Sequence, residues 1–375
     1  MVKLAPGIKL LRSLTRAAKS HQKAAAKLLA AATPKPPKPP KPPKPPAQPR
    51  KPLPAAPRPP GKWLMAQHLL PPTSGLPVLY WLYLPSRVPD SVAQHGWPLV
   101  VMLHGCQQSA TEFAEGTRMN RLAEDKGYAV LYPQQAVSAQ PHRCWRWYDR
   151  ATQEGGGETA ALVGLIGKVC EQYPIDRRRI YACGLSAGAG MAAVLALNHP
   201  ELIAAVGLHS GPVFGASHGP LGALQVMRHG APMHADAAIA GVLERRSRLA
   251  FPAVAAPMPP MPALLIQGAD DRVVNPLNQQ LLAHQWLQLN GLPLGPASRV
   301  TVKTAARGGA RNAHEIHDYL VGRKVVLRVA RIAGLGHAWS GGDPALRFNA
   351  GPGPDASRMM LEFFGKHRRP AAARR

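Results

Sequence analysis

The reactive groups of this chain stand in three short glycine-bearing segments. Gly184-Leu185-Ser186-Ala187-Gly188 follows the apolar run Arg179–Cys183 and precedes the small-residue stretch Ala189–Asn198. Strand, tight turn and helix in that order leave a serine Oγ projecting above a sheet. Glycines flank it because a Cβ there would meet neighbouring backbone. The Ala187 N–H, at a helix N-terminus, suits an oxyanion developing on a carbonyl under attack. A serine hydroxyl needs a base, and the base needs an orienting carboxylate, which on this type of turn follow in the order Ser, Asp, His.

Both partners are present in that order. The run Ala263–Gln267 leads into Gly268-Ala269-Asp270-Asp271-Arg272-Val273-Val274. Asp271, three residues after the glycine and three before Val274, is the expected acid, with Asp270 as the fallback. The run Lys324–Arg331 leads into Gly334-Leu335-Gly336-His337, which makes His337 the expected general base. A second oxyanion donor is expected from His104-Gly105-Cys106-Gln107-Gln108. The Cys106 N–H is the first choice and that of Gln107 the alternative, while His104 reads as architectural. Trp145, Trp147, Trp339 and Gln107 are candidates for a substrate cleft, although tryptophans in such runs more often fill a core.

Positioning these groups requires a sheet. Val78–Leu84, Pro98–Leu103, Tyr128–Tyr132, Arg179–Cys183, Ala204–Leu208, Ala263–Gln267 and Lys324–Arg331 read as strands, several of them apolar throughout, as strands buried on both faces must be. Thr117–Lys126, Thr159–Tyr173, Ala187–Asn198, Leu277–Leu289 and Ala356–Lys366 read as the helices between them. This is an α/β pattern, a mostly parallel central sheet flanked by helices, with active groups on loops at the carboxyl ends of strands. Gly211–Pro262, with a helical piece around Ala237–Arg248, reads as an excursion over one edge. Gly308–His317 reads as a basic surface loop.

Charge divides the chain differently. It has 375 residues and a formal net charge of +26, yet residues 1–62 hold 15 Lys/Arg and no acid. Residues 1–33 carry Leu4, Ile8, Leu11, Leu14 and Leu28 at helical intervals, a basic amphipathic segment. Residues 34–62 read as a disordered Lys/Pro-rich linker, since 15 of the 41 prolines lie between Pro34 and Pro60. Residues 63–366 form the expected catalytic domain and 367–375 a basic tail. The charge of residues 1–62 would suit contact with a granule surface, anionic lipid or a polyanion, the alternative being a soluble linker that resists collapse, and no specific nucleic-acid motif is present. Lysines interrupt the first segment too often for a secretory leader, and four cysteines exclude a disulfide-framework miniprotein.

Leu103-His104-Gly105-Cys106, Gly116-Thr117-Arg118-Met119-Asn120, Leu131-Tyr132-Pro133, Cys144-Trp145-Arg146-Trp147, Gly184-Leu185-Ser186-Ala187-Gly188 and Gly336-His337-Ala338-Trp339-Ser340-Gly341-Gly342 together resemble the short-chain polyhydroxyalkanoate (poly-3-hydroxybutyrate) depolymerases, esterases of the α/β-hydrolase superfamily. The resemblance spans about Leu64 to Gly365. It implies a serine esterase with neither metal nor cofactor, acting on polyester or short-chain hydroxyalkanoate esters with Ser186, Asp271 and His337 as triad. It also implies a Cys106–Cys144 disulfide and an extracellular location, with granule-associated cytoplasm as the alternative. Ala187-Gly188-Ala189-Gly190 departs from the Gly-Gly pair more usual there. A feruloyl or acetylxylan-type esterase is the alternative enzyme. A surface-binding protein with a vestigial hydrolase body is the non-enzymatic one.

Overall fold

The computed structural model describes residues 59–69, 77–249 and 260–370. The amphipathic segment 1–33, most of the Lys/Pro-rich stretch and the last five residues lie outside them. The described strands are β1 (Lys62–His68), β2 (Val78–Leu84), β3 (Trp97–Leu103), β4 (Ala129–Gln134), β5 (Ile175–Leu185), β6 (Ala205–His209), β7 (Ala263–Gly268), β8 (Arg299–Lys303), β9 (His314–Val321), β10 (Lys324–Ile332), β11 (Trp339–Ser340) and β12 (Asn349–Ala350). The helices are α1 (Asp90–His95), α2 (Ala110–Thr117), α3 (Met119–Lys126), α4 (Arg150–Gln153), α5 (Gly157–Gln172), α6 (Ala187–Asn198), α7 (Pro220–His229), α8 (Pro232–Leu249), α9 (Leu277–Leu289) and α10 (Ala356–Phe364).

Ten strands form one sheet in the order β1-β2-β4-β3-β5-β6-β7-β10-β9-β8. From β4 to β10 every pairing is parallel, and the outer strands on both sides pair antiparallel. The parallel strands are the apolar runs: β6 and β7 are buried at every position. With helices on both faces, such strands have no solvent side to mark with polar residues. One apolar core lies under α5, α6 and α9, and the other under α2, α3 and α10, where Tyr181 stacks on Phe364 at 4.8 Å. Helix α6 is buried from Ala187 to Leu197, which is why its sequence has no polar face.

Several expectations need correction. The helix expected over Thr117–Lys126 is two helices broken at Arg118, whose φ of 55° ends the first turn-run in the left-handed region. Helix α2 begins earlier, on a capping box between Ser109 and Glu112. Gly308–His317 is a loop only in its first part, because β9 starts at His314 and runs antiparallel to β10. Its charged residues hide it: buried Asp318 takes ion pairs from Arg299 on β8 and Arg328 on β10. Edge strand β1 alternates half-buried Leu64, Ala66 and His68 with exposed Met65 and Gln67, but its residue types do not alternate in polarity and so do not mark it. At the other end, the basic tail is held at its start. The Tyr181 hydroxyl donates to the His367 carbonyl (2.7 Å), and the Arg369 N–H donates to the Arg178 carbonyl (2.9 Å).

A Cβ at Gly184 would press on the Gly188 backbone and the Leu103 carbonyl, and one at Gly188 on the Leu103 and His104 carbonyls. These are backbone atoms that cannot swing aside. Gly188→Ala is therefore expected to destabilise by about 3 kcal/mol or more, read as a lower midpoint in urea unfolding. Gly336→Ala, with nothing within 4 Å of an added Cβ, should cost little.

Candidate active site

Strand β5 delivers Ser186 into a tight turn at φ 57° and ψ −121°, a conformation L-residues avoid. The turn is held from both sides. The Ser186 N–H donates to the His209 carbonyl (2.9 Å), and the Ser186 carbonyl accepts from Gly190 N–H (3.0 Å). The side chain stands at the first turn of α6, beside the Ala187 N–H and next to the loop leaving β3. A Cβ added to Gly105 of that loop would lie 3.6 Å from Ser186 Cβ.

Two strands along, β7 ends in the aspartate pair. Asp270 is exposed, whereas the Asp271 carboxylate has no solvent contact. Its Oδ1 accepts from the N–H groups of Val273 and Val274, both at 2.9 Å. Its Oδ2 accepts from Gln267 Nε2 at 2.9 Å and from His337 Nδ1 at 2.8 Å. Burial alone would raise its pKa. The hydrogen bond and charge of His337 and the two backbone donors outweigh burial and hold it below the usual carboxylate value. With Nδ1 committed to Asp271, His337 turns Nε2 toward its other side as the basic nitrogen.

The loop that carries His337 then crosses back toward the Ser186 turn. Ser340 N–H donates to Nε2 of His209, at the end of β6, the strand between β5 and β7. Trp339 stacks on the same imidazole at 5.2 Å and donates from Nε1 to Ser357 Oγ on α10 (3.1 Å). Because His209 Nε2 accepts, its Nδ1 carries the hydrogen and donates to Ser210 Oγ (3.1 Å). Burial first, then the neighbouring His337, pushes the His209 pKa down to about 3, so it is neutral. Its backbone holds Ser186 and its ring holds the His337 loop. Sequence alone does not single it out. The signal available was a histidine closing an apolar strand beside the nucleophile strand.

The two candidate oxyanion donors separate cleanly. Gln107 N–H is spent on the His142 carbonyl at 2.7 Å, while Cys106 N–H has no acceptor among the described residues. His104, fully buried and with its pKa lowered to about 4 chiefly by burial, accepts at Nε2 from Gln135 N–H and donates from Nδ1 to the Gly105 carbonyl (2.8 Å). That carbonyl shares a trans peptide with Cys106 N–H, so holding one fixes the direction of the other. Cys106 is also bonded to Cys144 as a disulfide, and Cys170 and Cys183 are free.

The cleft expectation is corrected for the tryptophans. Trp145, Trp147 and Trp339 are 3%, 3% and 0% exposed. Trp145 packs on His104, Trp147 lies against Gly190 and Tyr148, and Trp339 wedges between His209 and Phe113. They brace the site from behind, because their large apolar rings are worth more in the core than at its surface. Gln107 is exposed at φ 61°, its Oε1 accepting from Arg347.

The depressed Asp271 pKa has a consequence for stability. Its contribution is present above the unfolded carboxylate value near pH 4 and is lost as pH falls through the lower folded value. Asp271→Asn should therefore be less stable than wild type at pH 7. The gap should narrow on titration from pH 7 to pH 3, measured by urea unfolding at both pH values.

Residues 78–308 match the family model described as Esterase PHB depolymerase, a span that includes Ser186 and Asp271 and ends before His337. The chain is 28% identical over 257 residues to poly(3-hydroxyalkanoate) depolymerase C of Paucimonas lemoignei, covering 68% of this chain and 57% of that protein. It is 27% identical over 223 residues to feruloyl esterase B of Thermothelomyces thermophilus, covering 55% and 70% respectively. It thus spans little more than half the length of the depolymerase. An acetyl xylan esterase from Aspergillus awamori shares the fold, with a TM-score of 0.61 at 19% identity over 81% of this chain and 99% of that one. With over half its length matched by one family model on an α/β-hydrolase sheet, the chain belongs to the esterase PHB depolymerase family.

Proposed function

We propose that this protein is a serine esterase that hydrolyses carboxylic esters through an acyl-enzyme, with short-chain hydroxyalkanoate polyesters or oligomers as substrate. The observation that carries this reading is the 2.8 Å hydrogen bond between buried Asp271 and His337 Nδ1, on a loop returned toward the strained Ser186 turn. The family relation supports the ester class. The likeness to the depolymerase over 68% of this chain supports the hydroxyalkanoate substrate.

The steps follow from the donors and acceptors. His337 Nε2 takes the Ser186 hydroxyl proton as Oγ bonds to the ester carbonyl carbon. The carbonyl oxygen becomes an oxyanion and receives the N–H groups of Ala187 and Cys106. Its collapse breaks the carbon–oxygen bond to the alcohol, which leaves with the proton from His337. Water then gives a proton to His337 and attacks the acyl carbon. The second collapse releases the acid and returns the proton to Ser186. Asp271 stays ionised throughout and stabilises the imidazolium in each half-reaction.

A feruloyl or acetylxylan ester is the second reading, favoured by the match to 70% of a feruloyl esterase. The same chemistry would run with a different acyl or alcohol pocket. The disulfide between Cys106 and Cys144 supports an oxidising, extracellular compartment over a granule in the cytoplasm. Residues 1–62, with 15 Lys/Arg and no acid, are proposed to hold the enzyme near an anionic lipid, polyanion or granule surface.

Ser186→Ala should lower p-nitrophenyl butyrate hydrolysis by about 10⁴-fold or more with an unchanged circular dichroism spectrum. Near-normal turnover in that variant would end the serine assignment. On a panel, hydroxybutyrate oligomers should exceed feruloyl and acetylxylan esters in kcat/KM, and the reverse order would select the second reading. Cys144→Ser, which frees the residue carrying an oxyanion donor, should lower kcat by about 10–100-fold with KM little changed.

A further inference from the structure

At the end of the sheet away from the Ser186 turn lies a cavity of about 370 Å³. It sits where β10 begins and α10 ends, and its walls carry Arg299, Arg323, Lys324, Arg328 and Lys366. Five cations around one small cavity ordinarily repel one another, so the arrangement needs an anion or a structural reason. A structural reason exists for two of them. Arg299, Asp318 and Arg328 are direct cross-strand neighbours on β8, β9 and β10. Asp318 is 1% exposed and binds Arg328 bidentately, Nε to Oδ1 at 2.6 Å and Nη2 to Oδ2 at 2.9 Å. It takes the Nε and Nη2 of Arg299 on Oδ2.

This arrangement fixes two guanidiniums without using them up. Each presents five N–H donors in a rigid fork, and Asp318 engages only the Nε–Nη2 edge of each, leaving Nη1. One carboxylate answers two of the five charges. Arg323, Lys324 and Lys366 have no carboxylate within ion-pair distance among the described residues. His367, on the same wall, senses that excess. Burial, then Lys324, Lys366 and Arg328, push its pKa down to about 4, leaving a neutral imidazole in a positive field. Leu320, Val325 and Phe363 supply apolar wall, which weakens solvent screening of the charges beside it.

We propose that this cavity is a binding site for a compact, multiply charged oxyanion of the phosphate class, seated on Arg299 and Arg328 and closed over by Lys324 and Lys366. A single carboxylate, such as a product of ester cleavage, has too few oxygens and too little charge to answer three unpaired cations. A phosphoryl group has both, and guanidinium forks match its oxygens in pairs. The cavity lies at the start of β10, whereas the His337 loop leaves its end, so an occupant would leave the ester site open.

The test is calorimetric titration of inorganic pyrophosphate into the full chain and into Lys324→Gln/Lys366→Gln, at constant ionic strength set with sodium chloride. Both lysines are exposed, so the variant should keep its melting temperature and its turnover of p-nitrophenyl butyrate. Saturable binding weakened about tenfold or more in the variant is expected. The 15 Lys/Arg of residues 1–62 are common to both proteins and cancel in the comparison. No saturable binding to wild type, or equal binding to both, overturns the site. A second arm uses vesicles of phosphatidylcholine with and without phosphatidic acid. A wild-type excess on the phosphatidic acid vesicles, competed by pyrophosphate, makes a lipid phosphate the source. A difference with pyrophosphate alone makes it a free ion.

Discussion

A carboxylate without water must find its whole hydration shell in the protein, and Asp271 does. Two backbone N–H groups, the Gln267 amide and the His337 imidazole occupy its two oxygens. Each donor fixes something else. The backbone pair folds the turn after β7 tightly enough to aim the side chain inward. Gln267 also donates to the Val274 carbonyl and so locks that turn to its strand. The imidazole bond sets tautomer and ring orientation together, and through them which nitrogen is left basic. Removing any one donor would leave a buried charge short of a partner, which is costlier than the bond itself is favourable.

The second constraint is how closely the backbone approaches around Ser186. Helix α6 can start within reach of the β3 loop only because Gly184 and Gly188 carry no side chain. That proximity brings the start of α6 against the β3 loop that carries Cys106. Three devices hold the Cys106 side of it: the disulfide to Cys144, the Gln107 bond to His142, and the neutral His104 clamping the Gly105 carbonyl. Two buried neutral histidines thus frame the site without titrating near pH 7. His104 fixes one peptide and His209 fixes a loop.

Opposite ends of the parallel sheet carry different electrostatics. Carboxyl ends of strands hold a buried acid answered by backbone, amide and imidazole donors. The beginning of β10 holds a buried acid outnumbered by cations. Asp318 and Asp271 are both depressed carboxylates, yet one sits under an imidazole and the other under two arginines. The same physical device, a desolvated acid orienting nitrogen donors, yields a base at one end and a fixed cationic surface at the other.

Local order was legible wherever one residue type answered one local demand. The all-apolar runs of β2 and β3, the small-residue helix α6 and the glycine-flanked serine could be read directly, because burial and close backbone approach each leave a compositional mark. That Asp271 and not Asp270 bonds His337 agrees with its spacing to Gly268 and Val274. Strand β9 and the break at Arg118 were not. The first is held by Arg299 and Arg328 on other strands, and the second by a single backbone angle. The tryptophans show the same limit, since hydrophobicity says that a ring is buried but not whether it lines a cleft or backs one. His209 and the cationic cavity depended wholly on tertiary structure: their groups come from distant segments, and only the strand order β5-β6-β7-β10-β9-β8 makes them neighbours.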